Sequence, residues 1–170
     1  MIIKVEDIRQ YREIALNTQK NRVEIFIREC EELDIVPAIG VDEFDRLDTT
    51  TYEQLTLEEQ MLLDGGTYED TCGKKHRFAG LKAAESYLVF SRFVNVHPAQ
   101  VTPYGVVVKE GDDSQPASAQ TIAAVSKDAE KIGRKHLADC VDYWQFVQQD
   151  CSCRAHRIPA QKRKFTAIGD

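Results

Sequence analysis

Long apolar runs are missing from this chain. Stretches such as YLVF (Tyr87–Phe90) and GVVV (Gly105–Val108) are four residues long, and a bilayer-spanning helix needs about 20. The opening MIIKVEDIRQ carries an acid at position 6 and no apolar core, so no signal peptide is expected. A soluble protein that stays in the compartment of its synthesis is the expectation. Cysteines are few and odd in number: Cys30, Cys72, Cys140, Cys151 and Cys153. Without a secretion signal, reduced thiols are expected rather than a disulfide frame. Internal repeats and low-complexity segments are absent too, and 170 residues suit one globular domain with appendages.

What the chain does have is charge, unevenly spread. The net charge is −6, yet residues 151–170 hold five basic residues (Arg154, Arg157, Lys162, Arg163, Lys164) against one acid, Asp170. That segment is +4, and the remainder, with 17 basic and 27 acidic residues, is −10. An acidic body with a basic tail implies that the tail meets something negative: nucleic acid, an acidic neighbour, or the body of another copy.

The periodicity predicts a mainly α protein. A short helical turn is expected over Val5–Tyr11, then a helix over Asn21–Leu33 with Val23, Phe26, Ile27, Cys30 and Leu33 on one face. Pro37 is expected to push Val36 out of the helical region and make DIVPAIG (Asp34–Gly40) an extended joint. One or two turns follow at Val41–Leu47. Thr56 and Glu59 form a capping box for a short helix through Met61–Leu63, ended by Gly65 and Gly66. TYEDTCGKKH reads as a turn-rich connection. The first long helix is expected over Arg77–Val94, with Phe78, Leu81, Ala84, Tyr87, Leu88, Ser91 and Val94 in one stripe, and with Ala79, Gly80, Ala83 and Ala84 small enough for close helix approach. The second is expected over Ala119–Gln148, capped by Ser118 and striped by Ile122, Val125, Ala129, Ile132, His136, Cys140, Tyr143 and Val147. Domain boundaries follow: a helical domain over 1–149 and an extended basic arm over 150–170.

The chemistry-bearing groups lack their usual company. Cys151, Cys153 and His156 offer soft ligands, but C-x-C is not zinc-finger spacing and no second pair lies downstream. Cys72 beside Lys74, Lys75 and His76 has the positive surroundings of an activated thiol. No base held by a third group is marked beside it. His136 falls on an apolar helix stripe, as a core histidine does. Gly73-Lys74 is followed by Lys75 rather than Ser or Thr, so the P-loop pattern fails. Gly111-Asp112-Asp113 lacks the rest of a calcium loop. Neither a catalytic residue, a metal site nor a cofactor is assigned.

VTPYGVVVKE followed by EGDDSQP reads as a strand over Tyr104–Lys109 and a turn, within a hairpin at about 100–117. Its partner strand is either in this chain or in a neighbouring subunit. Three consecutive valines put one residue on the face opposite the other two, so both faces need cover, which a neighbour can supply.

The order LLDGGTY, FAGLKAAESYLVFSRF, TPYGVVVKEGDDSQPAS and a long amphipathic helix resembles the head–tail connector (adaptor, or neck-ring) proteins of tailed bacteriophages, of the type carried by phages of gut bacteria. The resemblance spans roughly 25–147 and leaves out the arm. It implies a non-enzymatic virion protein of the neck, assembled in the bacterial cytoplasm. Copies would form a ring, commonly of twelve, that joins the portal to the tail or a further neck ring. The DNA channel would continue through it without specific binding. The fold class expected is a helical bundle with two long helices, a small β-hairpin insertion and an extended C-terminal arm. Subunit or portal contacts are expected at Tyr104, Gly105, Val106, Val107, Val108 and Lys109. Arm contacts are expected at Arg154, Arg157, Lys162, Arg163, Lys164 and Phe165. The alternatives are a small cytoplasmic nucleic-acid-associated protein using the basic tail through phosphate contacts, or a thiol or metal enzyme.

Overall fold

In the computed structural model the chain is mainly helical, and the residues described are 1–12, 14, 20–96, 99–102, 105–108 and 118–155. Helix α1 (Val5–Tyr11) buries Val5 and Ile8, and α2 (Lys20–Cys30) buries Val23, Ile27 and Cys30 at helical spacing. A π-turn (Glu31–Ile35) leads directly into α3 (Val36–Ile39) and, past Gly40, α4 (Val41–Thr49). The capped helix α5 (Leu57–Asp64) is followed by a hairpin, β1 (Gly66–Glu69) and β2 (Lys75–Phe78). The two long helices α6 (Leu81–Val96) and α7 (Ala119–Ala155) flank a second hairpin, β3 (Ala99–Thr102) and β4 (Gly105–Val108).

The expected extended joint at Pro37 is instead helical. Val36 has φ −56° and ψ −46°, and Pro37, in the first turn of α3, stands within a continuous helical run, where its ring crowds the preceding turn and one backbone bond is given up. The π-turn makes this workable, because its extra residue widens the helix just before the proline. That extra residue also rotates the face. Past Cys30 the inward positions become Glu31 and Ile35, while Leu33, expected on the buried stripe, is 67% exposed.

The segment read as a turn-rich connection is an antiparallel ladder, with Tyr68 opposite His76 and Gly66 opposite Phe78. Asp70 closes its turn. Its Oδ1 accepts from the backbone N–H groups of Cys72 and Lys74, both at 2.9 Å. The hairpin's two ends meet at Gly65 (φ +84°) and Gly80 (φ +86°). A Cβ on Gly80 would fall 2.3 Å from the Gly65 nitrogen, so two backbones touch there. Gly80 therefore serves the hairpin neck and not a helix face. Helix α6 starts at Leu81, not Arg77, because Arg77 and Phe78 belong to β2.

Helices α6 and α7 run antiparallel. Asn95 and Ser91 meet Ser126, Leu88 and Ala84 meet Gly133, and Phe78, just before α6, stacks on Tyr143 with ring centroids 4.5 Å apart. Gly133 permits the close approach: a Cβ there would lie 2.8 Å from Leu88 Cγ and 3.0 Å from the Ala84 carbonyl oxygen. One core runs from Ile3 and Ile8 through Ile27, Leu62, Leu81 and Val89 to Cys140 and Tyr143. Ser118 caps α7 as expected, accepting from the Thr121 N–H at 3.1 Å. The expected end of α7 at Gln148 is overrun, since the helix continues to Ala155. CSCRA contains neither Gly nor Pro, and a helix already nucleated propagates cheaply through such residues.

Candidate functional site

The connection between the long helices springs from one end of the bundle, where a small polar seam ties them together. Ser91 and Ser126 share a hydrogen bond at 2.9 Å, the Ser126 hydroxyl also donates to the Ser91 carbonyl at 3.1 Å, and Asn95 Nδ2 donates to Ser126 Oγ at 2.6 Å. Both serine hydroxyls of the seam have partners, so burying them here costs little and fixes the relative height of α6 and α7. Beyond Val96 comes the β3–β4 ribbon, paired Ala99 with Val108, Gln100 with Val107, Val101 with Val106 and Thr102 with Gly105.

Four of the six expected interface positions, Gly105–Val108, form β4. Tyr104 and Lys109 lie outside the described residues. The strand's partner is the segment just before it in the same chain, which settles that alternative, and the ladder covers 99–108 where a hairpin over about 100–117 was expected. Residues 109–117 lie outside the described residues. Among the described residues the sheet has two strands, so each keeps one edge free of ladder hydrogen bonds. Of the arm positions, Arg154 falls in the last turn of α7. Arg157, Lys162, Arg163, Lys164 and Phe165 are outside the described residues.

A second cluster sits where the β1–β2 hairpin lies on α7. Tyr68 stacks on His76 with centroids 5.1 Å apart and reaches Tyr143 at 5.2 Å and Phe146 at 5.1 Å. His76 Nε2 is 2.9 Å from Asp70 Oδ2, and that contact with the turn N–H groups holds the Asp70 carboxyl below its usual range. This supplies a histidine oriented by a carboxylate, which no sequence signal marked, yet the contacts Asp70 makes to Cys72 go to its backbone rather than its thiol. A cavity of about 50 Å³ lined by Tyr68, His76, Arg77, Phe78, Asp139 and Asp142 has room for ordered water but not for a metabolite-sized ligand. Among the described residues no group of three or more His, Cys, Asp or Glu is placed to hold a metal ion. Burial pushes the Cys140 thiol up to about 12 and raises that of Cys30 further, with Glu85 adding to the latter. Such thiols pack as small apolar groups and do not attack. His136 is half-buried, 5.7 Å from the Tyr87 ring, and burial lowers its pKa.

Sequence reasoning gave Glu59 its capping role but missed how deeply this acid and others are buried. Glu59 is 2% exposed; it accepts from the Thr56 N–H at 2.7 Å and pairs with Arg46 at 2.7 Å. Asp34 pairs with Arg92 at 2.5 Å. Glu31, turned inward by the π-turn, accepts from the Ile2 N–H at 2.7 Å. Glu85 is fully buried, and neither of its oxygens has a hydrogen-bond partner among the described residues. One signal for Glu85 was available, since it stands four residues after Leu81 and four before Val89 on the core stripe.

Residues 35–145 match the model of a family described as of unknown function, DUF6712. No curated protein matches the chain, and no solved structure does.

Proposed function

We propose that this chain, which belongs to the DUF6712 family of unknown function, is a structural virion protein: the head–tail connector, or neck-ring adaptor, of a tailed bacteriophage. Copies close into a ring, twelve by resemblance, that joins the portal to the tail or a further neck ring and continues the DNA channel. The observation that carries the reading is the β3–β4 ribbon set between two long antiparallel helices. A two-stranded ribbon is marginal by itself in water. Its free edges and its Val106–Val108 run suit strand addition by a neighbour.

The Ser91–Asn95–Ser126 seam supports the same reading by fixing the ribbon's root on rigid elements. Helix α7, 37 residues and so about 55 Å long, offers a rod along which copies pack side by side. An acidic body suits a channel that passes DNA without gripping it, and the basic tail suits an acidic neighbouring copy. The mechanism is assembly, in the host cytoplasm, with no chemical step and no cofactor.

The test is mass photometry and negative-stain microscopy of the purified chain, alone and mixed with portal. Closed rings that cap the portal are expected, and monomers under both conditions would overturn the reading. Val107→Glu is expected to abolish rings while leaving the helical circular dichroism and melting of the monomer unchanged. Rings that persist in this variant would remove the ribbon from the interface.

A further inference from the structure

Glu85 stands in α6 with no exposed surface and, among the described residues, no hydrogen-bond partner for either oxygen, and the hydroxyl of its neighbour Ser86 is likewise buried without a partner among them. The groups that act on it come from several directions: Glu31 from the π-turn, the Met1 ammonium, Asp48 from α4 and Asp7 from α1. Glu85 in turn acts on Cys30 of α2. The one cation among them is already engaged, by Asp48 and, at 3.7 Å, by Glu31. Helix α7 meets this part of α6 through Gly133, against Ala84 and Leu88. The buried acid of α5, Glu59, is taken up by Arg46. An ionised Glu85 would therefore have no donor among the described residues and no contact with bulk solvent, with a second buried carboxyl acting on it.

The walls of this corner differ in strength. Helix α7 grips α6 along its length. Helix α1 has seven residues, too few to hold as a helix without its packing. It rests on the core through Ile3, Val5 and Ile8, with the Arg12 guanidinium over Tyr87 (5.0 Å) and beside Asp128 (3.1 Å). Water can reach Glu85 most cheaply by loosening that side.

We propose that Glu85 and Glu31 form a proton-operated latch between α6 and the N-terminal segment, closed while Glu85 keeps its proton and loosened when Glu85 ionises. The latch is independent of the assembly reading. Burial, first, and then Glu31 hold the Glu85 carboxyl well above the ordinary glutamate range, which puts the change on the rising side of that range.

Amide hydrogen exchange on the full chain tests it. Protection factors in α1, corrected for intrinsic rates, are expected to fall between pH 5 and pH 8. The fall is about tenfold per pH unit from the ordinary glutamate range up to the pH at which Glu85 ionises in the folded chain. The α7 amides from 128 to 140 are expected to hold their protection. In Glu85→Gln the fall in α1 protection is expected to shrink to the part contributed by Glu31, whose carboxyl is also pushed up by burial. In Glu31→Gln the fall is expected to stop at a lower pH, because the neighbouring acid no longer raises the folded value of Glu85. An unchanged fall in Glu85→Gln, or an equal fall in α7, overturns the latch. Should Glu85→Gln not fold, the Glu85 carboxyl ¹³C resonance of the unmodified chain decides. Titration below about pH 5, the ordinary range, overturns the proposal, and titration above it together with the α1 fall supports it.

Discussion

Gly80 and Glu85 are five residues apart and show two ways in which a single side chain governs this fold. At Gly80 the positive φ and the 2.3 Å approach to the Gly65 nitrogen leave no space for a Cβ. Gly80→Ala is expected to destabilise the protein by about 3 kcal/mol or more, from left-handed strain plus a backbone clash, as read from urea unfolding. At Glu85 the effect depends on pH. Its folded pKa is raised above the unfolded value, chiefly by burial, so the folded state binds the proton more tightly. Stability from this group is complete below the unfolded value near about 4.3 and is lost as pH rises through the folded one. The difference in stability between Glu85→Gln and the unmodified chain is therefore expected to grow from pH 4 to pH 8. Gly80 read as a small helix residue, because the backbone crossing is set by distant parts of the chain, and at Glu85 the spacing to Leu81 and Val89 marks the core face but not the missing partner.

At the scale of elements, local signals were read well where the causes are local. The Thr56–Glu59 capping box, the Ser118 cap and the stop at Gly65 all stand in the structure. Reading failed where two elements negotiate. Pro37 does not break its helix, since a π-turn absorbs it, and the price is Leu33 turned out and Glu31 turned in. The β1–β2 ladder has four residues per strand, too short for an alternation to stand out, and it exists because Tyr68 and Phe78 find Tyr143 and Phe146 on α7. The α6–α7 contact makes its own prediction. Gly133→Val is expected to cost about 1–3 kcal/mol by overpacking against Leu88 and the Ala84 carbonyl, seen as a lower melting temperature with no loss of helix content at 10 °C.

For the whole molecule, the helical body with a small β-hairpin insertion was legible from the chain alone, and the two long helices start within a few residues of their expected places, although α7 runs on past its expected end to Ala155. The basic segment raises the matter of charge between copies. Truncation after Ala155, which keeps all of α7, removes a strongly basic stretch from an acidic body. If that stretch ties one copy to the next by charge, full-length rings are expected to loosen as salt rises past about 0.15 M, where the screening length is about 8 Å, while rings of the truncated chain are expected to be weaker at low salt and to show no such loss. Light scattering across a salt series checks it. Equal salt sensitivity of the two chains would free the tail from that role.

The sequence by itself determined which stretches are helical and where most of them start, because helical period, caps and glycine stops act within a few residues. It also set the uneven charge. Only the tertiary structure decided that the chain passes through a π-turn just before Pro37, that β1 and β2 pair, that β4 takes β3 as its partner, and that Glu85 has no exposed surface. Each of those depends on what is packed on the far side of the residue in question, and a one-dimensional pattern carries the face a residue shares but not the neighbour that covers it.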